Sequence, residues 1–152
     1  MLNLKLPDES ATLQLGANLA PGLAPGHVLW LRGELGTGKT TLVRGLLRAL
    51  GHAGAVKSPT YTLVELYSVS RLNLYHFDFY RFKDRSEWLT SGFREYFGAD
   101  SACIVEWPER VGGLLPPPDL EVALGFEEPG RSAALAAHTP FGQHWLSSLR
   151  SG

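Results

Sequence analysis

The chain opens on Leu2 to Leu6 (LNLKL), where apolar and polar residues alternate with period two, the pattern of a strand with one covered face. Pro7-Asp8 ends it. Asp8 or Ser10 can cap a helix running to about Ala20, with Thr12, Leu15 and Leu19 on one side. PGLAPG reads as a turn, and His27 to Leu31 (HVLWL) as a short buried strand running into a glycine. The period then changes to 3.6. Leu42, Val43, Leu46, Leu47 and Leu50 fall on one helical face, Arg44 and Arg48 on the other, and Gly51 suits the end of that helix.

SPTYTLVELYSV and LNLYHFDFY are rich in aromatic and β-branched residues, and Ser70-Arg71 joins them. They are expected to pair as antiparallel strands. Asp84 and Glu87 stand at capping-box spacing and predict a helix carrying Leu89, Phe93 and Phe97, closed by Gly98. Ala102 to Trp107 (ACIVEW) is an apolar strand stopped by Pro108. LLPPPD is a stiff connector, LEVALGF and RSAALAA are two further strands, and PFGQHWLSSLR is a closing helix. No internal repeat or low-complexity tract interrupts the series. Strands and helices are mixed along the chain, which predicts α/β layering around a partly antiparallel sheet, in a single domain over residues 1–152.

Composition narrows the function classes. The 14 Lys+Arg against 15 Asp+Glu give a net charge of −1, so no basic footprint for nucleic acid or an anionic membrane is present. Any service to an RNA pathway is expected to be indirect. Cys103 is the only cysteine, which excludes an intrachain disulfide framework. MLNLKLPDES lacks the basic and apolar regions of a secretory signal, and no stretch approaches the roughly 20 apolar residues of a membrane span. A cytoplasmic protein is expected.

Gly33-x4-Gly38-Lys39-Thr40 matches the phosphate-binding P-loop in full. Glycines let the backbone curl until several N–H groups point at one centre, and the following helix adds its positive end there. Lys39 supplies a point charge for the β and γ phosphates, and the Thr40 hydroxyl can ligate Mg²⁺. An apolar strand before and an amphipathic helix after place the loop in its proper context, a three-layer fold like that of the P-loop NTPases. Such a site needs a carboxylate across the phosphates. Glu106 ends the strand CIVE, at the edge where ligands gather in open α/β sheets. Asp78, inside YHFDFYR, is the second candidate, unless it only pairs with Arg81. Ser58 and Thr60 in KSPTYT stand where a hydroxyl can sense a γ-phosphate through the metal. The five histidines follow no metal-ligand spacing and read as surface or core residues. Trp107 can pack in the core or lie over a nucleotide, and Arg131 can stack on a base or sit in a solvated turn.

GELGTGKTTLVRGLL, VKSPTYTLVE, LYHFDFYR and IVEWPER, in that order and spacing, resemble the TsaE family of bacterial P-loop ATPases, over about Pro7 to Arg131. Family members are required for threonylcarbamoyladenosine modification of tRNA. The resemblance implies weak ATPase activity that works with TsaB and TsaD, no direct grip on tRNA, and ATP/ADP with Mg²⁺ as cofactors. It assigns nucleotide contacts to Gly36, Thr37, Gly38, Lys39, Thr40 and Thr41, the metal to Thr40 and Glu106, and a switch-like role to Thr60. Asp78 is assigned to positioning water or to communication with a partner, Trp107 to the nucleotide pocket, and Thr12 and Arg131 to the adenine end. Glu34 and Thr37 stand where the family usually has Asp and often Ala, and Thr37 is expected to add bulk and a hydroxyl near the phosphates. Of the rival readings, a small-molecule P-loop kinase is the main one, with Arg81 and Arg85 as lid arginines. No Asn-Lys-x-Asp segment supports a GTPase. Nucleotide binding that merely orders an interaction surface is the non-enzymatic reading.

Overall fold

The computed structural model describes residues 1–151 and their side chains through Leu149; Gly152, the last residue of the expected 1–152 domain, lies outside the described residues. Strands β1 (Leu2–Leu6), β2 (Val28–Arg32), β3 (Val64–Val69), β4 (Leu72–Asp78), β5 (Ser101–Glu106), β6 (Leu120–Glu127) and β7 (Gly130–Ala137) form one sheet in the order β1-β7-β6-β2-β5-β4-β3. β2 is parallel to both its neighbours, β5 and β6, and β4 is parallel to β5. Antiparallel pairs β3–β4 on one side and β6–β7–β1 on the other complete a mixed sheet.

Helices cover both faces. α1 (Glu9–Leu19), α2 (Lys39–Ala49) and α4 (Pro140–Ser151) share one core with Leu29, Leu31, Leu74 and Ile104. α3 (Arg85–Ser91) and the 3₁₀ turns Phe93–Tyr96 and Pro108–Leu114 cover the other face, where Phe77, Phe79, Trp88, Cys103 and Val105 pack. The two-residue period of β5 divides it between them: Ala102 and Ile104 face α1 and α2, and Cys103 and Val105 face the aromatic layer. The apolar stripe on α2 behaves as its spacing requires, with Leu42, Val43, Leu46 and Leu47 fully buried. Each such side chain contributes about 1.5–3 kcal/mol of transfer free energy, which fixes the helix, and the loop before it, against the sheet.

Local chemistry explains the boundaries. Asp8, not Ser10, caps α1, its Oδ1 accepting the Ala11 N–H at 2.9 Å. Asp84 caps α3 as its spacing predicts, while Glu87 accepts from the Lys83 N–H at 2.7 Å, one residue before the usual capping-box donor. That helix is shorter than expected. Gly92 takes a left-handed conformation (φ 77°) and stops it, a 3₁₀ turn (Phe93–Tyr96) follows, and Leu89 is left exposed. Phe93 and Phe97 still reach the core, 5.5 and 5.1 Å from the Phe77 ring, but from beyond the helix. β3 also starts later than SPTYTLVELYSV suggested. Leu63 N–H closes a turn on the Pro59 carbonyl at 2.7 Å, and Leu63 itself is left-handed (φ 71°), so residues 58–63 form a loop. β5 ends at Glu106, one residue early, because Trp107 is left-handed (φ 59°) ahead of Pro108.

Candidate functional site

Three parallel strands end on the same edge of the sheet, and their ends build the site. β2 runs into the glycine loop, β5 ends in Glu106 and β4 ends in Asp78, with Asp78 and Glu106 in register across the β4–β5 pair. Gly36 (φ 83°) and Gly38 (φ 106°) hold the loop in conformations that side chains resist, and Gly38 is the residue from which α2 starts. Leu42 N–H already bonds the Gly38 carbonyl at 2.9 Å, so the amides ahead of it point out of the helix end. A cleft of about 340 Å³ opens there, lined by Gly36, Gly38, Lys39, Thr40, Thr41, Ser58, Thr60, Asp78, Tyr80, Glu106 and Trp107.

Polar burial marks this place. Among the described residues the buried polar and charged side chains are Thr12, Thr37, Lys39, His76, Asp78, Ser101 and Glu106; all but Ser101 stand in or beside the loop and its two carboxylates. Burial at that cost has to be balanced by partners. The Lys39 ammonium folds back onto the Gly33 carbonyl, lies 3.3 Å from the Glu34 carbonyl, and sits 4.2 Å from the centre of the Trp107 ring. Burial pushes its pKa below the ordinary lysine value, against the opposing pull of Glu106 and Asp78 first, then Glu109 and Glu34. Asp78 accepts from the Ser58 hydroxyl and, at 3.2 Å, from the Thr60 hydroxyl, while its other oxygen takes the Tyr80 N–H at 2.9 Å. The local pair with Arg81 is not formed: that guanidinium lies 4.6 Å from the Tyr61 ring centre. Neither Arg81 nor Arg85 lines the cleft.

A second cavity, about 260 Å³, lies across the loop, with Gly36, Gly38 and Thr41 bordering both. Thr12 from α1 and Arg131 from β7 meet there, together with Pro7 and Thr37. Arg131 braces the loop, donating to the Gly36 carbonyl at 3.1 and 3.3 Å and lying 4.8 Å from the Phe126 ring centre. Every nucleotide-contact candidate named from the sequence thus borders one of the two cavities.

The comparisons decide the family. The family model "Threonylcarbamoyl adenosine biosynthesis protein TsaE" matches residues 6–133. This chain belongs to the TsaE family. The Haemophilus influenzae tRNA threonylcarbamoyladenosine biosynthesis protein TsaE is 43% identical over 149 residues, covering 95% of this chain and 94% of that protein. The Bacillus subtilis protein of the same name is 40% identical over 119 residues, covering 78% of this chain and 72% of its own. The crystal structure of Bacillus subtilis YdiB matches with a TM-score of 0.82 at 29% identity, over 99% of this chain and 94% of that one.

Two features of this TsaE chain escaped the sequence. Thr37 does not present its hydroxyl to the cleft: Oγ1 donates to the Glu34 carbonyl at 2.8 Å, inside the loop, and the side chain is buried. The structure also joins His76, fully buried on β4, to Glu106, with Nε2 2.5 Å from Oε2. Period two along YHFD puts His76 and Asp78 on one face, and that was the available signal; the contact with Glu106, thirty residues away, was not visible in any spacing.

The donors facing the first cleft are hard oxygens: the Thr40 hydroxyl and the carboxylates of Glu106 and Asp78. Mg²⁺ is commonly held by one or two carboxylates together with substrate phosphates and waters, and these residues fit that requirement. Among the described residues no helix is long and apolar enough to cross a membrane.

Proposed function

We propose that this chain binds and hydrolyses ATP with Mg²⁺, and that it supports threonylcarbamoyladenosine modification of tRNA together with TsaB and TsaD, allowing their complex to cycle. The observation that carries the reading is the convergence of a complete P-loop with two buried carboxylates at one sheet edge. In it, loop amides and Lys39 bind the phosphates, and Thr40 and Glu106 would hold the cation, which when bound would supply positive charge beside the phosphoryl group. Asp78 orients the attacking water, and Ser58 and Thr60, already bonded to Asp78, couple the 58–63 loop to the state of the phosphates. Thr12 and Arg131 border the adenine end, and Trp107 walls the pocket. Lys39 must leave the Gly33 and Glu34 carbonyls to meet a phosphate. With net charge near zero, tRNA is reached through the partners.

The test is multiple-turnover tRNA modification with purified TsaB and TsaD, comparing ATP with a non-hydrolysable analogue and wild type with Lys39→Ala. ATP with wild type sustains turnover, while the analogue and the variant stop after the first cycle. Equal turnover with the analogue would show that binding alone suffices.

A further inference from the structure

One buried polar side chain at this site has no part in the reading above. His76 is fully buried in the middle of β4. Period two places it with Leu72, Leu74 and Asp78, on the side of the sheet that packs against α1 and α2, where the apolar layer of Leu72, Leu74 and Ile104 gives way to the carboxylates of Asp78 and Glu106 at the strand ends. The parallel register pairs His76 with Ile104 and Asp78 with Glu106, so His76 and Glu106 are diagonal neighbours on one face. A carboxylate oxygen can only accept, so the Nε2 that lies 2.5 Å from Glu106 Oε2 carries the hydrogen. Nδ1 is buried with no hydrogen-bond partner.

That last fact bears on why a histidine is there. A leucine would continue the apolar layer at no desolvation cost, whereas this imidazole leaves one nitrogen unpaired in the core. What the histidine adds is a single donor, aimed at a single acceptor. Glu106 has reason to need one. It is the last residue of β5, and the chain behind it turns at once through the left-handed Trp107. Its long side chain, buried against the cleft, has several rotamers among which a fixed donor selects one. His76 is anchored mid-strand between β3 and β5, in register with Glu65 and Ile104.

We infer that His76 is a positioning residue: its Nε2–H holds Oε2 of Glu106 and so fixes the carboxylate that faces the cleft, setting the affinity of the site for its divalent cation. This rests on the nucleotide and metal reading of the cleft. Groups that orient a ligating side chain in this way typically change metal affinity or activity by about 10–100-fold when removed.

The experiment uses Mn²⁺ as the probe ion. Its binding to the full chain with ADP is followed by electron paramagnetic resonance, and kcat for ATP is measured in parallel. His76→Leu, which suits the apolar layer, weakens Mn²⁺ binding about 10–100-fold and lowers kcat, while ADP affinity without metal stays within about twofold. His76→Gln, whose amide can still reach Glu106, recovers most of both. In a Glu106→Gln background, His76→Leu has no further effect, because the histidine acts through that carboxylate. Should His76→Leu melt early, His76→Asn takes its place, since its amide is too short to reach. Unchanged Mn²⁺ affinity in a folded variant, or additive losses in the double variant, overturns the inference alone. A wild-type chain that binds no Mn²⁺ with ADP overturns the metal reading of the cleft, and this inference with it.

Discussion

Burial makes the Lys39 ammonium costly to the unliganded fold. Its folded pKa lies below the ordinary lysine value of 10.5, so the unfolded chain holds that proton more tightly. The resulting penalty is fully present at neutral pH and fades as pH rises through the folded value toward 10.5. Lys39→Met is therefore expected to abolish nucleotide binding while leaving the melting temperature at neutral pH unchanged or higher. The gap between variant and wild type should narrow in alkaline buffer. Thermal melts across pH, beside calorimetric ADP titrations, check both halves; a variant that melts several degrees lower would mean that the bonds to the Gly33 and Glu34 carbonyls outweigh desolvation. The two carboxylates separate by their neighbours. Asp78→Ala and Glu106→Ala are each expected to cost about 10²–10³ in ATP turnover, as for the loss of a preorganised electrostatic group. Asp78→Ala also releases Ser58, Thr60 and the Tyr80 N–H, so only that variant should make residues 58–63 susceptible to limited proteolysis. Equal resistance in both variants would remove Asp78 as the anchor of that loop. At this scale the sequence singled out residues that the fold brings to one cleft, but not their partners: the one it offered, Arg81 for Asp78, lies on the Tyr61 ring instead. The glycine loop, Asp78 and Glu106 stand out in the sequence because the proposed phosphate chemistry would need those residue types at strand ends. The bonds from Asp78 to Ser58 and from Glu106 to His76 cross between elements and leave no mark on local spacing.

α2 starts from Gly38 of the glycine loop and packs tightly against α1. The helices approach so closely that a Cβ at Gly16 would strike the Leu42 carbonyl, and one at Gly45 the Leu13 carbonyl. Both obstacles are backbone and cannot rotate away. Intrinsic propensity favours Ala over Gly in a helix interior by about 1 kcal/mol. Here the sign reverses, because overpacking costs about 1–3 kcal/mol. Gly45→Ala is thus expected to lower the melting temperature by several degrees and to weaken nucleotide binding, since the helices must separate. A variant at least as stable as wild type would show that they have slack. The apolar stripe of α2 was legible from its period, but this contact was not, because a glycine in a helix looks like weakness until the neighbouring helix is known. The early end of α3 has a similar cause. Phe93 and Phe97 sit at helical spacing and do enter the core, yet Gly92 decides the backbone.

For the whole molecule, strand positions were readable and their order was not. Alternation identifies a strand; it does not say that β2 lies between β5 and β6, or that β1 pairs with β7, nearly the length of the chain away. That order has a consequence in time. Synthesis proceeds from the amino terminus, so β2 and the glycine loop leave the ribosome long before either neighbour of β2 exists. β5 arrives first, β6 next, and only with β7 can β1 join and bring Pro7 and Thr12 beside Arg131. Until then the young chain carries an apolar strand with open edges, and contacts of such long range close slowly. Ribosome-arrested chains, each followed by a linker that clears the exit tunnel, make this measurable. A chain stopped at Pro118, before β6, should be cut readily by protease, and one carried through α4 should resist. Resistance already complete at Pro118 would mean that β2 and β5 hold the loop together without the second half of the sheet.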